Sequence, residues 1–330
     1  MNLWKQPANA VEALATARTL LTGSIPDITE DAICRRMKIG ETSVGEAFQM
    51  DWRSLGTASW GVGGAFAQTE LVRCLWHLQT GQLYLPGRGV VANIDLKPLR
   101  SVARLGFDCR DMHDGFELSD TATEFPTFWN HDSGRVTCMT QTNNRWLRPL
   151  EVAKPGRPRR DASALWKKAG KVLIAERLRL NTMRMAAIRV RVKVLSNVWW
   201  TLRIVSSELS GNKEKALVLW LNSTPGLLLM FGSRQETCGA WVKFKKPSLL
   251  DMCVLNMDAV GELELETLAG GYDRLSTEDL DTCDKFDTDP IRRQIDETIA
   301  SALDLPDMGV LRDLLAREPL VRLDMAGIAP

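Results

Sequence analysis

Glycine recurs so often between residues 38 and 150 that only short elements fit between the turns it favours. Twelve glycines occupy this stretch, at positions 40, 45, 56, 61, 63, 64, 81, 87, 89, 106, 115 and 134. Between them lie short mixed segments, such as Gln82–Leu85 and Val90–Ile94, whose length and composition are typical of strands. A longer glycine-free segment, Gln68–Gln79, favours a helix. We therefore predict short strands and hairpins with one helix for this stretch.

Helices are predicted near both ends of the chain and around residue 220. Apolar spacing and capping residues predict them over 8–21, 30–37, 213–222, 225–231, 290–303 and 308–316. Short β-branched segments predict strands at 172–174, 186–190, 192–194 and 199–205. The sequence therefore predicts an α+β protein with a β-rich N-terminal portion, a mixed domain with packed helices and a helical C-terminal appendage.

Domain boundaries follow from changes in composition. Residues 154–160 contain two prolines, one glycine and four positive charges, which together predict a solvated basic linker. The predicted segments are an N-terminal helical segment (1–37), a β-rich domain (38–153), the linker (154–160), the mixed domain (161–265) and an acidic helical tail (266–330).

Charge is strongly segregated although the net charge is only +1. Arg145–Arg203 contains 16 Lys or Arg and 3 Asp or Glu, whereas Asp251–Pro330 contains 7 and 19. Lys and Arg neutralise phosphates, so the basic segment favours a surface that faces a polyanion. We expect the acidic end either to face a partner subunit or to pack on the basic domain.

Several functional classes lack their signatures. The sequence contains no GxxxxGK[ST], HExxH or GxSxG motif, and it has no Pro-Pro pair, which the catalytic signature of amino-methyltransferases requires. No apolar run reaches 18 residues, and Met1–Lys5 lacks the layout of a signal peptide. The seven scattered cysteines form no CxxC pair and indicate free thiols. We therefore expect a cytoplasmic binding protein without a metal or cofactor of its own.

Three motifs leave other interpretations open. Asp108, Asp111, His113 and Asp114 could ligate a metal in a nuclease, although a polar loop is the simpler account. Glu236 with Lys243 or Lys245 resembles one end of a nuclease site, without the upstream aspartate such a site needs. Gly87–Ala92 matches GxGxxA, but the prolines around it favour a hairpin turn instead of a cofactor loop.

Residues 160–260 resemble a known family. A basic strand is followed by Arg177, Asn181-Thr182, Trp199-Trp200 and Lys215–Thr224. This order resembles the C-terminal target-recognition region of bacterial adenine-specific DNA methyltransferases, and it is similar to specificity parts of restriction-modification and phage-defence systems. In those proteins a Leu-Asn-Ser segment commonly ends a helix, which we expect for Leu221–Ser223. Such enzymes also carry a Rossmann domain that this sequence lacks, so the resemblance implies S-adenosylmethionine only on a partner.

These observations predict that the mixed domain is a target-recognition-like domain that binds double-stranded DNA. It would confer sequence choice on a partner methyltransferase or nuclease; a scaffold of a defence complex without DNA contact is the alternative. The predicted phosphate contacts are Arg157, Arg159, Arg160, Lys167, Lys168 and Lys171. The predicted groove contacts are Arg177, Arg179, Asn181, Arg184, Arg203, Arg234, Gln235 and Lys243. Trp199 and Trp200 are expected to pack in the core, as large aromatic residues usually do.

Overall fold

The computed structural model describes residues 7–22 and 66–322, with gaps at 107–108, 131, 133, 181, 207 and 237–240. It also describes the backbone of four strand segments at 2–3, 27–28, 34–39 and 42–48. Two residues of the predicted sites, Asp108 and Asn181, lie outside the described residues.

The strands are short, as the glycine-rich sequence predicts for the first half of the chain. Numbered along the described residues, they are β1 (Asn2–Leu3), β2 (Asp27–Ile28), β3 (Cys34–Ile39), β4 (Thr42–Phe48), β5 (Gln82–Leu85), β6 (Gly89–Asn93), β7 (Leu96–Pro98), β8 (Ala103–Leu105), β9 (Phe116–Ser119), β10 (Phe125–Phe128), β11 (Thr140–Gln141), β12 (Arg145–Pro149), β13 (Gly170–Ala175), β14 (Arg177–Arg179), β15 (Ala187–Ser196), β16 (Trp199–Ile204), β17 (Gln235–Glu236), β18 (Trp241–Lys243) and β19 (Cys253–Leu255).

The longer helices lie near the N-terminus, before β5 and beyond residue 209. The helices are α1 (Ala10–Thr22), α2 (Thr69–Gln79), α3 (Leu99–Val102), α4 (Cys109–Met112), α5 (Ala162–Trp166), α6 (Ser210–Asn222), α7 (Thr224–Gly232), α8 (Lys246–Asp251), α9 (Glu262–Leu275), α10 (Pro290–Ala302), α11 (Gly309–Ala316) and α12 (Pro319–Arg322). The predicted α+β class is therefore confirmed.

The largest sheet has eight strands and is mixed. Its order is β8–β16–β13–β15–β10–β12–β9, with β11 also paired to β15. Strands β10 and β11 run parallel to β15, whereas the other neighbours are antiparallel. The smaller sheets have the orders β1–β4–β3–β2, β14–β18–β17, β19–β7 and β5–β6.

Helix α6 packs against the large sheet, and α7 continues from it through a sharp corner. Leu217–Leu221 and all of α7 are buried, which is expected for helices that are apolar on every side. Ser223 caps α7 by accepting from the backbone N–H of Gly226 at 3.3 Å. A side chain at Gly226 would collide with the Trp220 carbonyl, so the corner requires glycine.

Asn222, the middle residue of the predicted Leu-Asn-Ser helix end, joins α6 to the start of β15. Its Oδ1 accepts from the backbone N–H groups of Ala186 at 2.8 Å and Ala187 at 3.3 Å. Its Nδ2 donates to the carbonyls of Ala187 at 2.8 Å and Val218 at 2.9 Å. The amide is buried, so these four bonds replace the water that it would otherwise bind.

A second buried polar contact fastens the acidic helices to α7. The Asp296 carboxylate accepts from the N–H of Thr224 at 2.8 Å, from the Thr224 hydroxyl at 2.6 Å and from Arg312 Nη1 at 2.8 Å. Burial raises the pKa of Asp296, and these three donors oppose that shift. One continuous cluster of buried side chains runs from Phe66 to Val321 and includes α9, α10 and α11. The acidic end therefore packs on the rest of the chain, while the predicted domain boundaries stay predictions.

Most predicted elements beyond residue 66 are confirmed, with one difference in detail: the segments 186–190 and 192–194 form one strand, β15. The hairpin turn predicted at Gly87 is also confirmed, because Gly87 at φ +76° turns the β5–β6 hairpin. The helix predicted over 30–37 is wrong at 34–37, because Cys34–Ile39 pairs antiparallel with β4 along its whole length, and residues 30–33 lie outside the described residues. Backbone pairing with a neighbouring strand overrides the weak helical spacing of six residues.

The described cysteines are free, and two of them are deeply buried. Cys74, Cys138, Cys253 and Cys283 are free, and burial raises the pKa of Cys74 and of Cys283 to about 12. Those two thiols are therefore protonated at neutral pH and unreactive. Within the part of the chain that the structure describes, no helix is long and apolar enough to cross a membrane.

Candidate nucleic-acid interface

The small sheet β14–β18–β17 gathers basic residues from two distant parts of the sequence. Arg177 lies opposite Lys243 and Arg179 lies opposite Trp241, while Gln235 flanks Lys243 on its other side. Side chains alternate across a strand, so these five residues share one side of the sheet. We call this side, formed by Arg177, Arg179, Gln235, Trp241 and Lys243, the basic outer face.

The opposite side of the small sheet faces the core. Leu178 is fully buried and Val242 is 2% exposed, whereas Arg177 and Arg179 are exposed and Trp241 is 47% exposed. Four of the five outer-face residues are predicted groove contacts. The structure thus brings together side chains that lie about sixty positions apart in sequence.

Backbone and side-chain bonds fix the small sheet on the large one. The Phe244 N–H donates to the carbonyl of Glu176 at 2.8 Å, and Trp200 Nε1 donates to the carbonyl of Phe244 at 3.1 Å. The Glu176 carboxylate also lies 3.5 Å from Lys243 Nζ. Lys243 is therefore partly neutralised, while within the described residues neither Arg177 nor Arg179 forms an ion pair. The two arginines keep their charge available to a ligand.

A second group of cations lies at the edge of the large sheet. Arg203 on β16 is opposite Arg104 on β8, and Lys171 adjoins Arg203 because the next pair along is Val172 with Leu202. Arg203 Nη1 donates to the carbonyl of Lys167 at 2.8 Å. The Thr201 hydroxyl donates to the carbonyl of Lys168 at 3.0 Å. These two hydrogen bonds hold the turn at Lys167 and Lys168, between α5 and β13, against β16. We call Arg104, Lys167, Lys168, Lys171 and Arg203 the edge cluster.

The arginines of the predicted linker are exposed but contact nearby groups. Arg157 Nη1 lies 3.2 Å from Asp114, and Arg160 Nη2 lies 3.0 Å from Asp111. Arg159 Nη1 donates to the carbonyls of Leu150 and Glu151, both at 3.0 Å. The predicted linker therefore lies along the segment that contains Asp111 and Asp114, and its phosphate-binding role remains a prediction.

Three residues of the nuclease alternative, Asp111, His113 and Asp114, lie in the described part of the chain, whereas Asp108 does not. The carboxylates of Asp111 and Asp114 each hold a linker arginine. Burial lowers the pKa of His113, with nearby Lys154 acting in the same direction, and its ring lies edge-on to Trp129 at 5.4 Å. No group of three potential metal ligands occurs among the described residues.

Two predicted groove contacts have structural partners away from the basic outer face. Arg184 Nη1 donates to the carbonyl of Leu280 at 2.5 Å, which joins the basic segment to the acidic end. Arg234 Nη1 donates to the carbonyl of Phe231 at 2.8 Å, and its guanidinium lies 5.5 Å from the centre of the Phe66 ring. Both guanidinium groups bond to carbonyls away from the small sheet, so the structure does not bring them to the outer face.

Two of the tryptophans in the segment that resembles a known family are buried, whereas Trp241 is exposed. Trp199 and Trp200 are 1% and 4% exposed and pack in the core as predicted. Sequence reasoning missed Trp241, as well as Arg104 in the edge cluster. The alternation Trp241-Val242-Lys243, with one apolar residue between two amphipathic ones, is the signal that could have placed Trp241 on an outer face.

Comparison with protein-family models gives no match, and comparison with curated proteins gives none either. Among solved structures, the chain is similar to the type IIG restriction endonuclease BpuSI, with 13% sequence identity and a TM-score of 0.45. The similarity covers 94% of this chain and 38% of that protein, so the chain spans well under half the length of this structural neighbour.

Proposed function

We propose that this chain is a sequence-specific recognition module for double-stranded DNA. The basic outer face is the observation that carries the proposal, because it presents two arginines that form no ion pair within the described residues, beside a lysine, an amide and an exposed indole. Arg binds guanine edges through two hydrogen bonds, and Gln does the same with adenine. A rigid strand pair of this width also fits the major groove.

The edge cluster supplies the second element of such a module. Its five cations lie at one edge of the large sheet, where Arg203 and Arg104 are paired across the strands and Arg203 donates to the carbonyl of Lys167. Contacts of this kind to phosphates position a protein on DNA without selecting a sequence. The proposal therefore assigns sequence choice to the outer face and positioning to the edge cluster.

The partner in this proposal is a DNA methyltransferase or a nuclease whose site choice the module directs. This part rests on the resemblance of residues 160–260 to target-recognition regions, which also implies that S-adenosylmethionine binds to a partner methyltransferase. Affinity capture from the source cells, followed by identification of the captured proteins, tests it. Capture of neither a methyltransferase nor a nuclease would contradict the assignment.

Fluorescence anisotropy with a labelled random-sequence duplex tests DNA binding directly. We expect Kd to rise steeply between about 50 and 200 mM salt, because several phosphate contacts release counterions together. Selection of bound sequences from a random pool then tests specificity. Absence of binding at the lowest salt would contradict the proposal.

Matched arginine variants connect the binding to the surface. The double variant Arg177→Ala/Arg179→Ala should lose both affinity and the selected sequence preference. The control double variant Arg274→Ala/Arg293→Ala removes two exposed arginines from α9 and α10 in the acidic region and should bind like the parent. Equal losses in both variants would show that general charge, and not the outer face, governs binding.

A further inference from the structure

We propose that Arg191 and Lys193 bind phosphates of duplex DNA and extend the edge cluster across β15. This role rests on the proposed function and deepens it, because it adds two named positioning contacts to the DNA-binding surface. The two residues lie with Val192 in a three-residue bulge of β15, which we call the β15 bulge (Arg191–Lys193).

The register between β13 and β15 defines the bulge. Gly170 lies opposite Val194, whereas Val172, two positions further along β13, lies opposite Arg189. Four residues of β15 therefore face the single residue Lys171, where a regular antiparallel ladder has one. A bulge leaves its extra residues out of the ladder and redirects their side chains. The three extra residues are therefore available for a purpose other than strand pairing.

Burial shows that the bulge projects from the sheet. Val190 and Val194, which flank it, are fully buried. Arg191, Val192 and Lys193 are all exposed, with 42% of the Val192 surface accessible. Successive side chains of a regular strand point to opposite faces of the sheet. Three consecutive exposed side chains in a strand that is buried on both sides of them therefore indicate a local projection into solvent.

The two cations of the bulge keep their charge available to a ligand. Arg189, two positions before the bulge, forms an ion pair with Glu214 of α6 at 3.0 Å. Neither Arg191 nor Lys193 forms an ion pair with any residue that the structure describes. The same strand thus compensates the cation that faces α6 and leaves the two projecting cations for a polyanion.

The bulge continues a row of like charges that crosses neighbouring strands. Arg104 of β8 lies directly opposite Arg203 of β16, and Lys171 of β13 adjoins Arg203 on its other side. Lys171 in turn is the residue that faces the bulge. Like charges directly opposite one another destabilise a sheet. A polyanion that lies along the row would remove this repulsion.

The length of the row fits the backbone of one DNA strand. Neighbouring strands lie about 4.8 Å apart, so the row from β8 to the bulge of β15 is about 15 Å long. Successive phosphates of one DNA strand rise about 3.4 Å along the helix axis, so several of them lie within this length. We therefore assign Arg191 and Lys193 to phosphate contact at the end of the row and not to the reading of bases.

A charge-neutral double variant tests the assignment. Arg191→Gln/Lys193→Gln removes both charges and keeps polar side chains at the exposed positions. At about 100 mM salt we expect Kd for a labelled duplex to rise about tenfold. The slope of log Kd against log salt should fall by about 1.8, because each lost phosphate contact lowers it by about 0.9. Binding to a preferred sequence and to a changed sequence should weaken by the same factor.

Control variants separate the bulge from general charge and from folding. Arg191→Lys/Lys193→Arg keeps both charges and should keep the slope. Arg274→Gln/Arg293→Gln removes two exposed charges from α9 and α10 and should also keep it. All three double variants change exposed residues and should melt within about 3 °C of the parent.

The outcomes distinguish failure of this role from failure of the proposed function. If the parent binds DNA and Arg191→Gln/Lys193→Gln keeps its slope, DNA binding stands and the role of the bulge is wrong. A loss confined to the preferred sequence would assign the bulge to base contact, and an equal loss of slope in Arg274→Gln/Arg293→Gln would assign the effect to general charge; either result overturns the inference. If the parent binds no duplex at the lowest salt, both proposals are wrong.

Discussion

Two regions of this molecule use similar polar residues in opposite ways. Around the end of α6, Asn222, Asp296 and Arg312 are buried, and each of them forms hydrogen bonds to partners within the chain. On the basic outer face, Arg177 and Arg179 point to solvent and form no ion pair among the described residues. Burial decides between the two uses, because a buried polar group must find its partners inside the protein. Polar side chains in this chain therefore indicate a binding role only where the fold leaves them without internal partners.

Removal of Asp296 should cause the largest loss of stability. In Asp296→Ala the guanidinium of Arg312 stays buried without a carboxylate, and the Thr224 N–H loses its acceptor. Breaking a buried ion pair in this way costs about 3–5 kcal/mol. Urea denaturation followed by fluorescence measures the change, with the exposed Asp313→Ala on α11 as control. A loss below about 1 kcal/mol would show that the buried polar residues around α6 contribute little more to stability than exposed ones.

Asn222→Ala should cause the second-largest loss of stability. The change leaves two backbone N–H groups of β15 and two carbonyls without their partner in a dry environment. We expect a loss of about 3 kcal/mol, at the upper end of the cost for unsatisfied buried groups. Gln294→Ala, which removes an exposed amide from α10, should stay within about 0.5 kcal/mol of the parent. If the Asn222 variant is as stable as its control and loses DNA affinity instead, this residue belongs to the binding region.

The sequence specifies local structure well in this chain and long-range pairing poorly. The helix at 213–222, its end at Asn222 and the cap at Ser223 follow from apolar spacing and capping residues within a few positions. The three bonds from Asn222 to Ala186 and Ala187 at the start of β15 do not, because they depend on a strand that begins 35 residues earlier. The helix predicted over 30–37 failed at 34–37 for a different reason, because pairing with the adjacent strand β4 outweighs the local helical spacing.

The candidate site shows the same limit. Arg177, Arg179, Gln235 and Lys243 could be chosen from sequence as basic or amide residues in a charged segment. That these side chains share one face of a sheet could not be predicted, because it depends on the pairing of β14 with β18 across more than sixty residues. Arg184 has the same residue type and lies in the same segment, yet it bonds to the acidic end. Composition therefore identifies the candidate residues, and the strand register determines which of them lie on the basic outer face.

Arg179→Ala should reduce DNA binding selectively. If Arg179 forms two hydrogen bonds to a base, the preferred sequence should lose about 1–3 kcal/mol of binding free energy relative to a sequence changed at that base pair. Anisotropy titrations with the two duplexes measure this difference, and the free energy of unfolding should stay unchanged because the side chain is exposed. Equal weakening of binding to both duplexes would show that Arg179 contacts a phosphate, which is the role proposed for the edge cluster.

Lys167→Ala should produce the smallest effect and the least selective one. Lys167 is exposed at the turn after α5, where its own carbonyl accepts from Arg203. Loss of one phosphate contact should weaken binding to all sequences about equally and should reduce the slope of log Kd against log salt by about 0.9. The matched control is Lys285→Ala in the acidic region, which should leave the slope unchanged. The slope, and not the affinity at one salt concentration, is the decisive measurement, because a base contact changes affinity without releasing counterions. A Lys167 variant with an unchanged slope and an altered sequence preference would reverse the roles assigned to the edge cluster and the basic outer face.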